Sequence, residues 1–161
     1  MKIKTIAFPI SVKGEDLSNF LCDEIVYLDE GDKISFGSGS LKVISGKGKD
    51  SNSGSLVCSV NINESSALFM ADIPIEKEEE LAFPDIDYLK VGHHGSKSST
   101  SEKLLKESSP YIAVISCGKG NRYGHPTDRV LELLENSGII IKRIDLEGAI
   151  CIKNKNILTK Q

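Results

Sequence analysis

Hydrophobic positions in the N-terminal half of the chain come in short runs that predict β-strands. These runs cover residues 3–10, 24–28, 33–36, 41–44, 56–62 and 67–71. Turn sequences such as Glu30-Gly31-Asp32 separate them, so hairpins are the natural interpretation. Residues 15–21, after Gly14, are expected to form one or two helical turns, and residues 46–54 form a polar, glycine-rich loop.

The C-terminal half instead alternates strands with helices. Strands are predicted at residues 86–91, 111–117, 139–144 and 149–152, and helices at 74–81, 99–108 and 127–136. The pattern Ser99-x-x-Glu102 is typical of a capping box at the start of the second helix. The first helix is strongly acidic, and Glu76, Glu78, Glu79 and Glu80 are expected to form a solvated face. Alternation of this kind predicts an α/β fold with parallel neighbouring strands.

The candidate chemistry lies between residues 85 and 126, which contain all three histidines. His93 and His94 follow one predicted strand on a glycine turn, and His125 follows the next strand in a Gly-His-Pro sequence. Imidazoles in such positions can bind a metal ion or transfer a proton near neutral pH, and the Gly95-Ser96 amides could face an anion. The alternative is that these histidines only satisfy local hydrogen bonds.

Asp72 ends the strand before the acidic helix and has two interpretations. It could cap that helix, because an aspartate before proline is common at a helix start. Alternatively, the strand that it ends could lie parallel to the strand before His93 and His94, which would bring the carboxylate to the imidazoles. Asp72, one of the two histidines, and His125 or Asp50 are then the available ligands for zinc or manganese.

Composition limits the other classes of function. The chain has 161 residues, enough for a single domain over residues 1–161, and its net charge is -3. That charge gives no footprint for nucleic acid. The four cysteines are far apart and are expected to be buried small hydrophobic residues. No apolar run is long enough for a membrane span or signal peptide, so the sequence predicts a cytoplasmic protein.

Two segments carry a resemblance to a known family. Residues 88–101, YLKVGHHGSKSSTS, and residues 115–126, ISCGKGNRYGHP, closely resemble the C-terminal half of the metallo-β-lactamase-like domain of ComEC-type competence proteins, the DNA-internalisation channel family. Weaker similarity extends back through residues 68–73 to residues 50–56 and to the hairpin region at residues 28–44. Most of the chain is therefore covered by the resemblance.

The resemblance implies a fold, a reaction and a set of site residues. The fold would be the αββα sandwich, and the activity would be hydrolytic, with a metal-activated water cleaving a phosphodiester. Asp72 would bridge two ions of zinc or manganese, and His93 or His94, with His125, would be ligands or proton-transfer residues. Ser96 and Asn121 would place the substrate, and nucleic acid is implied as a partner only by the family.

The chain also departs from the family pattern. The family's main ligands lie on a His-x-His-x-Asp-His motif in the first half of the domain, and this sequence has no histidine before His93. The expected fold is therefore an incomplete sandwich that lacks that N-terminal part, and this chain alone would bind no complete metal centre. A homodimer or a missing N-terminal portion is the expected partner, since half a sandwich exposes an apolar sheet face. The alternative function is a non-catalytic binding or assembly module with a vestigial metal site. The domain that the chain resembles belongs to a membrane protein. The resemblance therefore implies attachment to a membrane, whereas the sequence alone predicts a cytoplasmic location.

Overall fold

A computed structural model of the chain describes residues 3–153 and 156–160. The strands are β1 (Ile3–Pro9), β2 (Cys22–Leu28), β3 (Lys33–Phe36), β4 (Gly39–Ser45), β5 (Val57–Ile62), β6 (Ser65–Phe69), β7 (Tyr88–Lys90), β8 (Ile112–Ile115), β9 (Ile140–Arg143), β10 (Ala149–Lys153) and β11 (Asn156–Lys160). The helices are α1 (Ile75–Glu80), α2 (Glu102–Ser108), α3 (Asp128–Asn136) and α4 (Ile144–Glu147). No helix within the described residues is long and apolar enough to cross a membrane.

A mixed seven-stranded sheet forms the centre of the fold, in the order β3-β4-β5-β6-β7-β8-β9. The pairs from β3 to β6 are antiparallel, and those from β6 to β9 are parallel. The sheet thus consists of antiparallel hairpins from β3 to β6 and of parallel strands connected by helices from β6 to β9. The sequence predicts this division, because short strands alone in the first half give way to alternating strands and helices in the second. The α/β prediction is confirmed, and the sheet with its flanking helices is compatible with an αββα sandwich.

One face of the central sheet carries the main hydrophobic core. Leu68, Leu89 and Ala113 are aligned across β6, β7 and β8, and all three are fully buried. Leu104 of α2 and Leu134 of α3 pack into the same cluster. Because strand side chains alternate between faces, this register places α2 and α3 on the same side of the sheet.

The opposite face is apolar but only partly covered. Leu28 of β2 packs there against Val43 and Cys58. Alternation places five exposed apolar side chains on this same face: Ile34, Phe36, Ile62, Phe69 and Ile140. The accessible surface is 9717 Å² for 17.5 kDa, against about 7,900 Å² for a compact monomer of that mass. The expected exposed sheet face is therefore present.

Two local expectations in the N-terminal half are wrong. Residues 15–21 form turns instead of a helix, because the Asp16 side chain accepts a hydrogen bond from the Ser18 amide (3.0 Å) and the Phe20 amide bonds to Leu17 (3.1 Å). β2 does not form a hairpin with β3 but pairs in parallel with β1, as a separate two-stranded sheet. The predicted hairpins β3-β4 and β5-β6 are confirmed.

Candidate functional site

The residues with candidate chemistry follow three neighbouring parallel strands. Phe69, Lys90 and Val114 are aligned near the ends of β6, β7 and β8. Because parallel strands end at the same edge of a sheet, Asp72, the adjacent histidines and His125 all emerge at that edge. We refer to this region as the histidine edge. The sequence prediction that Asp72 and the histidines belong to adjacent parallel strands is confirmed.

The loop that contains Asp50 lies at the same edge. Val43 near the end of β4, Cys58 at the start of β5 and Phe69 are aligned across the antiparallel part of the sheet. The connection between β4 and β5 therefore leaves the sheet at the histidine edge. The Asp50 side chain is exposed and accepts hydrogen bonds from the Asn52 and Ser53 amides (both 2.9 Å). These bonds organise its own loop, and the Ser53 amide lowers the pKa of the Asp50 carboxyl.

His93 and His94 lie on a turn whose backbone is in an unusual conformation. Their φ angles are +46° and +56°, in the left-handed region that side chains other than glycine seldom adopt. The His93 amide donates to the Ala71 carbonyl at 2.8 Å. The buried Ser99 hydroxyl lies 2.9 Å from the Gly92 carbonyl and 3.1 Å from that of Ser96. The backbone of the turn is thus held from both sides.

Those hydroxyl bonds correct the predicted start of α2. Ser99 does not cap the helix as the Ser99-x-x-Glu102 pattern suggests. Ser101 is the N-cap, and its side chain accepts a hydrogen bond from the Leu104 amide at 3.1 Å. Both serines precede the helix, and the left-handed Thr100 between them (φ +67°) turns the chain.

A close contact joins the first histidine turn to the loop of the third histidine. Gly95 has φ +83°, and a Cβ atom at this position would lie 2.6 Å from the Cβ of Pro126. The Thr127 amide also donates to the Gly95 carbonyl at 2.9 Å. Only glycine allows the two loops to approach this closely, so this contact sets the distance between His125 and the other two imidazoles.

The three imidazoles are arranged as neighbours with different hydrogen-bond states. The His93 and His125 ring centroids are 6.0 Å apart with an angle of 71° between the rings. The Nδ1 of His94 donates to the Ser116 carbonyl, which leaves its Nε2 free to accept a proton or bind a metal. The Nδ1 of His125 is buried and has no hydrogen-bond partner. Burial, together with the charges of His93 and His94, lowers the pKa of His125.

Asp72 does not cap the acidic helix. The N-cap of α1 is Pro74, and no side chain makes a capping bond there. Of the two interpretations, the one in which Asp72 belongs to the histidine edge is therefore the one that the structure supports. Lys90 lies nearby: its Nζ donates to the Val91 carbonyl at 2.9 Å, and burial lowers its pKa while the charges of Asp72 and Cys117 oppose that shift.

The two residues proposed for substrate placement have local structural partners. Ser96 is buried, and its hydroxyl shares a hydrogen bond with Ser98 at 3.1 Å. The Asn121 side chain donates to the carbonyls of His125 (2.6 Å) and Gly118 (3.0 Å) and accepts from the His125 amide (3.0 Å). Asn121 thus holds the backbone of the third histidine, and its role toward a substrate stays a prediction.

Glu78 is a residue of this region that the sequence prediction misplaced. Instead of facing solvent it is fully buried, and it accepts hydrogen bonds from the Thr100 amide (2.8 Å) and the Ser101 amide (2.6 Å). Burial raises its pKa, against the opposing effects of these amides and of Arg129. The signal was present in the sequence, because Glu78 is three residues from both Ile75 and Leu81 and so shares their side of the helix.

The chemistry of the donors suits a borderline metal ion, but the described residues do not assemble a complete centre. Imidazole and carboxylate together are typical ligands of zinc, and both also bind manganese. The buried Nδ1 of His125, which has no hydrogen-bond partner, is a further nitrogen atom that a metal ion could use as a ligand. Within residues 3–153 and 156–160, however, no three side chains of histidine, cysteine, aspartate or glutamate come together as a metal site.

Comparison with known proteins relates the chain to competence proteins. It is 36% identical over 169 residues to ComE operon protein 3 of Bacillus subtilis (strain 168), covering 96% of this chain and 22% of that protein. It is 37% identical over 101 residues to Recombination protein 2 of Haemophilus influenzae, covering 62% of this chain and 13% of the relative. It is 35% identical over 111 residues to Competence protein ComA of Neisseria gonorrhoeae, covering 65% of this chain and 16% of that protein.

These matches confirm the competence part of the resemblance seen in the sequence. The chain is a relative of competence proteins, and it spans about a fifth of the length of ComE operon protein 3. No protein-family model matches the chain. Membership of the metallo-β-lactamase superfamily therefore stays a prediction.

Proposed function

We propose that the chain is part of a metal-dependent hydrolase of the metallo-β-lactamase type that cleaves phosphodiesters during DNA uptake. The observation that carries the proposal is the convergence of Asp72, His93, His94 and His125 from three parallel strands on one edge. Two of the relatives are named a competence protein and a recombination protein, which is consistent with nucleic acid as the substrate.

In this proposal each imidazole has a distinct state that suits a distinct role. His94 has its Nδ1–H fixed on the Ser116 carbonyl, so Nε2 is the atom that can bind a metal or move a proton. His125, whose pKa is lowered by burial and by its neighbours, remains neutral at a pH where a free histidine begins to gain a proton. A neutral imidazole is the form that can act as a ligand or as a general base.

The metal would have an incomplete ligand set within this chain. Zinc or manganese, when bound, supplies a Lewis acid for phosphoryl chemistry. The described residues present Asp72 and the imidazoles as one side of such a centre, and they gather no three ligands around one point. We therefore propose that further polypeptide completes the site.

A non-catalytic binding or assembly module is the second candidate. Two observations favour it: the lack of a three-ligand group within the described residues, and the exposed apolar sheet face that includes Phe69 and Ile62. Such a face suits a second copy of the chain or another β-layer. In this case the histidine edge would be the remnant of a site that no longer turns over substrate.

Metal analysis of the purified chain distinguishes the two candidates. Stoichiometric zinc or manganese that co-purifies with the chain, is lost in Asp72→Ala and is kept in Asp85→Ala, a control at an exposed aspartate before β7, would show that even the incomplete ligand set binds metal. Metal that is lost only with Asp72 would exclude the vestigial-site candidate. A complete absence of metal, with no hydrolysis of a generic phosphodiester after added zinc or manganese, would refute hydrolysis by this chain.

A further inference from the structure

Two successive peptide groups before α2 are held between a buried carboxylate and a guanidinium. One oxygen of Glu78, in α1, accepts from the Thr100 amide (2.8 Å), and the other accepts from the Ser101 amide (2.6 Å). On the other side, Arg129 of α3 donates to the Ser99 carbonyl at 2.9 Å and to the Thr100 carbonyl at 3.0 Å. Each of the two peptide groups that flank the Thr100 α-carbon thus has its N–H on Glu78 and its C=O on Arg129. We refer to this arrangement as the peptide clamp.

The conformation of the clamped segment explains why it takes partners of both charges. Residues 99–101 are buried, although they lie outside any helix or strand. Buried backbone N–H and C=O groups need hydrogen-bond partners. The left-handed Thr100 (φ +67°) turns two successive amides toward one concave site, which favours an anion. A carboxylate at the amides and a guanidinium at the carbonyls satisfy all four groups and offset each other's charge.

The clamped segment is also attached to the turn of His93 and His94. The Ser99 hydroxyl lies 2.9 Å from the Gly92 carbonyl and 3.1 Å from the Ser96 carbonyl. These two carbonyls flank the two histidines in the sequence. Because the clamp holds the Ser99 carbonyl while the Ser99 hydroxyl holds the turn, a displacement of the clamp would reach the turn through a single buried residue.

The two charged residues of the clamp come from helices that follow the other candidate site residues. α1 begins at Ile75, shortly after Asp72, and α3 begins at Asp128, shortly after His125. The clamp therefore joins the backbones of all three segments that converge at the histidine edge. A guanidinium suits this task because its planar fork can hold two carbonyls in one fixed geometry.

We propose that Glu78 and Arg129 are positioning residues that hold the turn of the adjacent histidines in place relative to Asp72 and His125. They act through the Ser99 segment and are neither ligands nor proton donors themselves. The proposal rests on the function proposed above and adds the residues that align its site. In the opposing interpretation the clamp only stabilises the start of α2 and leaves the histidine turn unaffected.

Nitrogen-15 NMR of the imidazoles at about pH 8 in EDTA reads the turn without metal or hydrolysis, above the usual pKa of histidine. The unchanged chain should show His94 with its proton on Nδ1, because this atom donates to the Ser116 carbonyl. Arg129→Ala removes two hydrogen bonds at a residue that is itself exposed, so the chain should stay folded. We expect this variant to lose the Nδ1–H signal of His94 in favour of mixed tautomers.

Hydrogen exchange gives a second, backbone readout of the same turn. The His93 amide donates to the Ala71 carbonyl at 2.8 Å. In Arg129→Ala its exchange should be faster by roughly tenfold or more relative to the Leu89 amide in β7, the effect of losing one hydrogen bond to a charged group. Glu78→Ala should change both readouts in the same direction.

Two control variants separate positioning from charge and from stability. Arg122→Ala removes the same charge from the neighbouring loop, where the guanidinium contacts Tyr123, and should leave both readouts unchanged. Leu134→Ala, at a fully buried position of α3, lowers the overall stability and should still leave the His94 signal intact.

The proposal is overturned if Arg129→Ala keeps both the His94 signal and the His93 protection of the unchanged chain. Equal effects of Arg129→Ala and Arg122→Ala, or of Arg129→Ala and Leu134→Ala, would also overturn it. Since EDTA is present throughout, a chain that fails as a hydrolase can still pass this test. A chain that binds metal through Asp72 can likewise fail it.

Discussion

Replacing Glu78 by alanine is expected to lower the free energy of unfolding by about 2–6 kcal/mol. The Glu78 carboxylate is fully buried and accepts hydrogen bonds from the Thr100 and Ser101 amides at 2.8 Å and 2.6 Å. Removing it leaves two buried donors without partners, each at a cost of about 1–3 kcal/mol. The variant Glu78→Gln retains one acceptor oxygen and should lose about 1–2 kcal/mol.

The pH dependence of this effect has a definite sign. Burial raises the pKa of Glu78 above its ordinary value of 4.5, so the folded state binds the proton more tightly than the unfolded state does. The stability that this residue contributes is therefore fully present below about pH 4.5 and is lost as the pH rises through the higher folded pKa. We expect the difference in unfolding free energy between the unchanged chain and Glu78→Gln to be larger at pH 5 than at pH 7.

Urea denaturation followed by far-ultraviolet circular dichroism is the appropriate assay, because the chain contains no tryptophan. The matched control is Glu79→Ala on the exposed side of the same helix, which should change stability by less than about 0.5 kcal/mol. A loss in Glu78→Ala no larger than that of Glu79→Ala would refute the structural role of the buried carboxylate. A difference that shrinks as the pH falls would refute the sign of the pKa argument.

Three further predictions concern the histidine edge and the core beneath it. Gly95→Ala should lower the free energy of unfolding by at least about 2 kcal/mol in the same urea assay, because the new Cβ would lie 2.6 Å from the Cβ of Pro126. The control is Gly138→Ala, where φ is a similar +71° but no atom lies within 4 Å, and it should lose only about 1 kcal/mol. In EDTA, NMR titration should show His125 losing its proton below pH 6.5, and His93→Asn should raise that pKa; an unchanged pKa would contradict the coupling between the two rings. The stability that His125 contributes is expected above pH 6.5 and should be lost as the pH falls through its folded pKa. Leu89→Ala, at a fully buried position in β7, should lose about 2–5 kcal/mol; a loss below about 1 kcal/mol would contradict its place in the core.

Several elements near the site could be predicted because their signals are local. The parallel pair β6-β7 follows from two apolar runs joined by a short acidic helix, and it brings Asp72 to the histidines. The turn at Asn63-Glu64 follows from polar residues between two alternating runs. In each case the strands and the segment that connects them are specified by residues that are close together in the sequence, although the paired residues of β6 and β7 are 21 positions apart.

Other features depended on contacts between distant residues. Ser99 could cap α2 or bond to the histidine turn, and both options satisfy its hydroxyl. Glu78 accepts the hydrogen bond of the Ser101 amide, which is one of the two amides that Ser99 would reach as an N-cap. Likewise, the sequence pattern of β2 predicts a strand but does not specify its partner. In the structure β2 pairs with β1, and Leu28 of β2 packs on Val43 of the central sheet.

The sequence by itself determined the order of strands and helices from β3 to β9 and the three strand ends that carry Asp72, the paired histidines and His125. Periodicity and turn residues are local properties, so they can be read along the chain. The tertiary structure decided which glutamate is buried and which serine caps the helix. Those outcomes depend on partners more than 20 residues away, whose burial and hydrogen bonds no local pattern specifies.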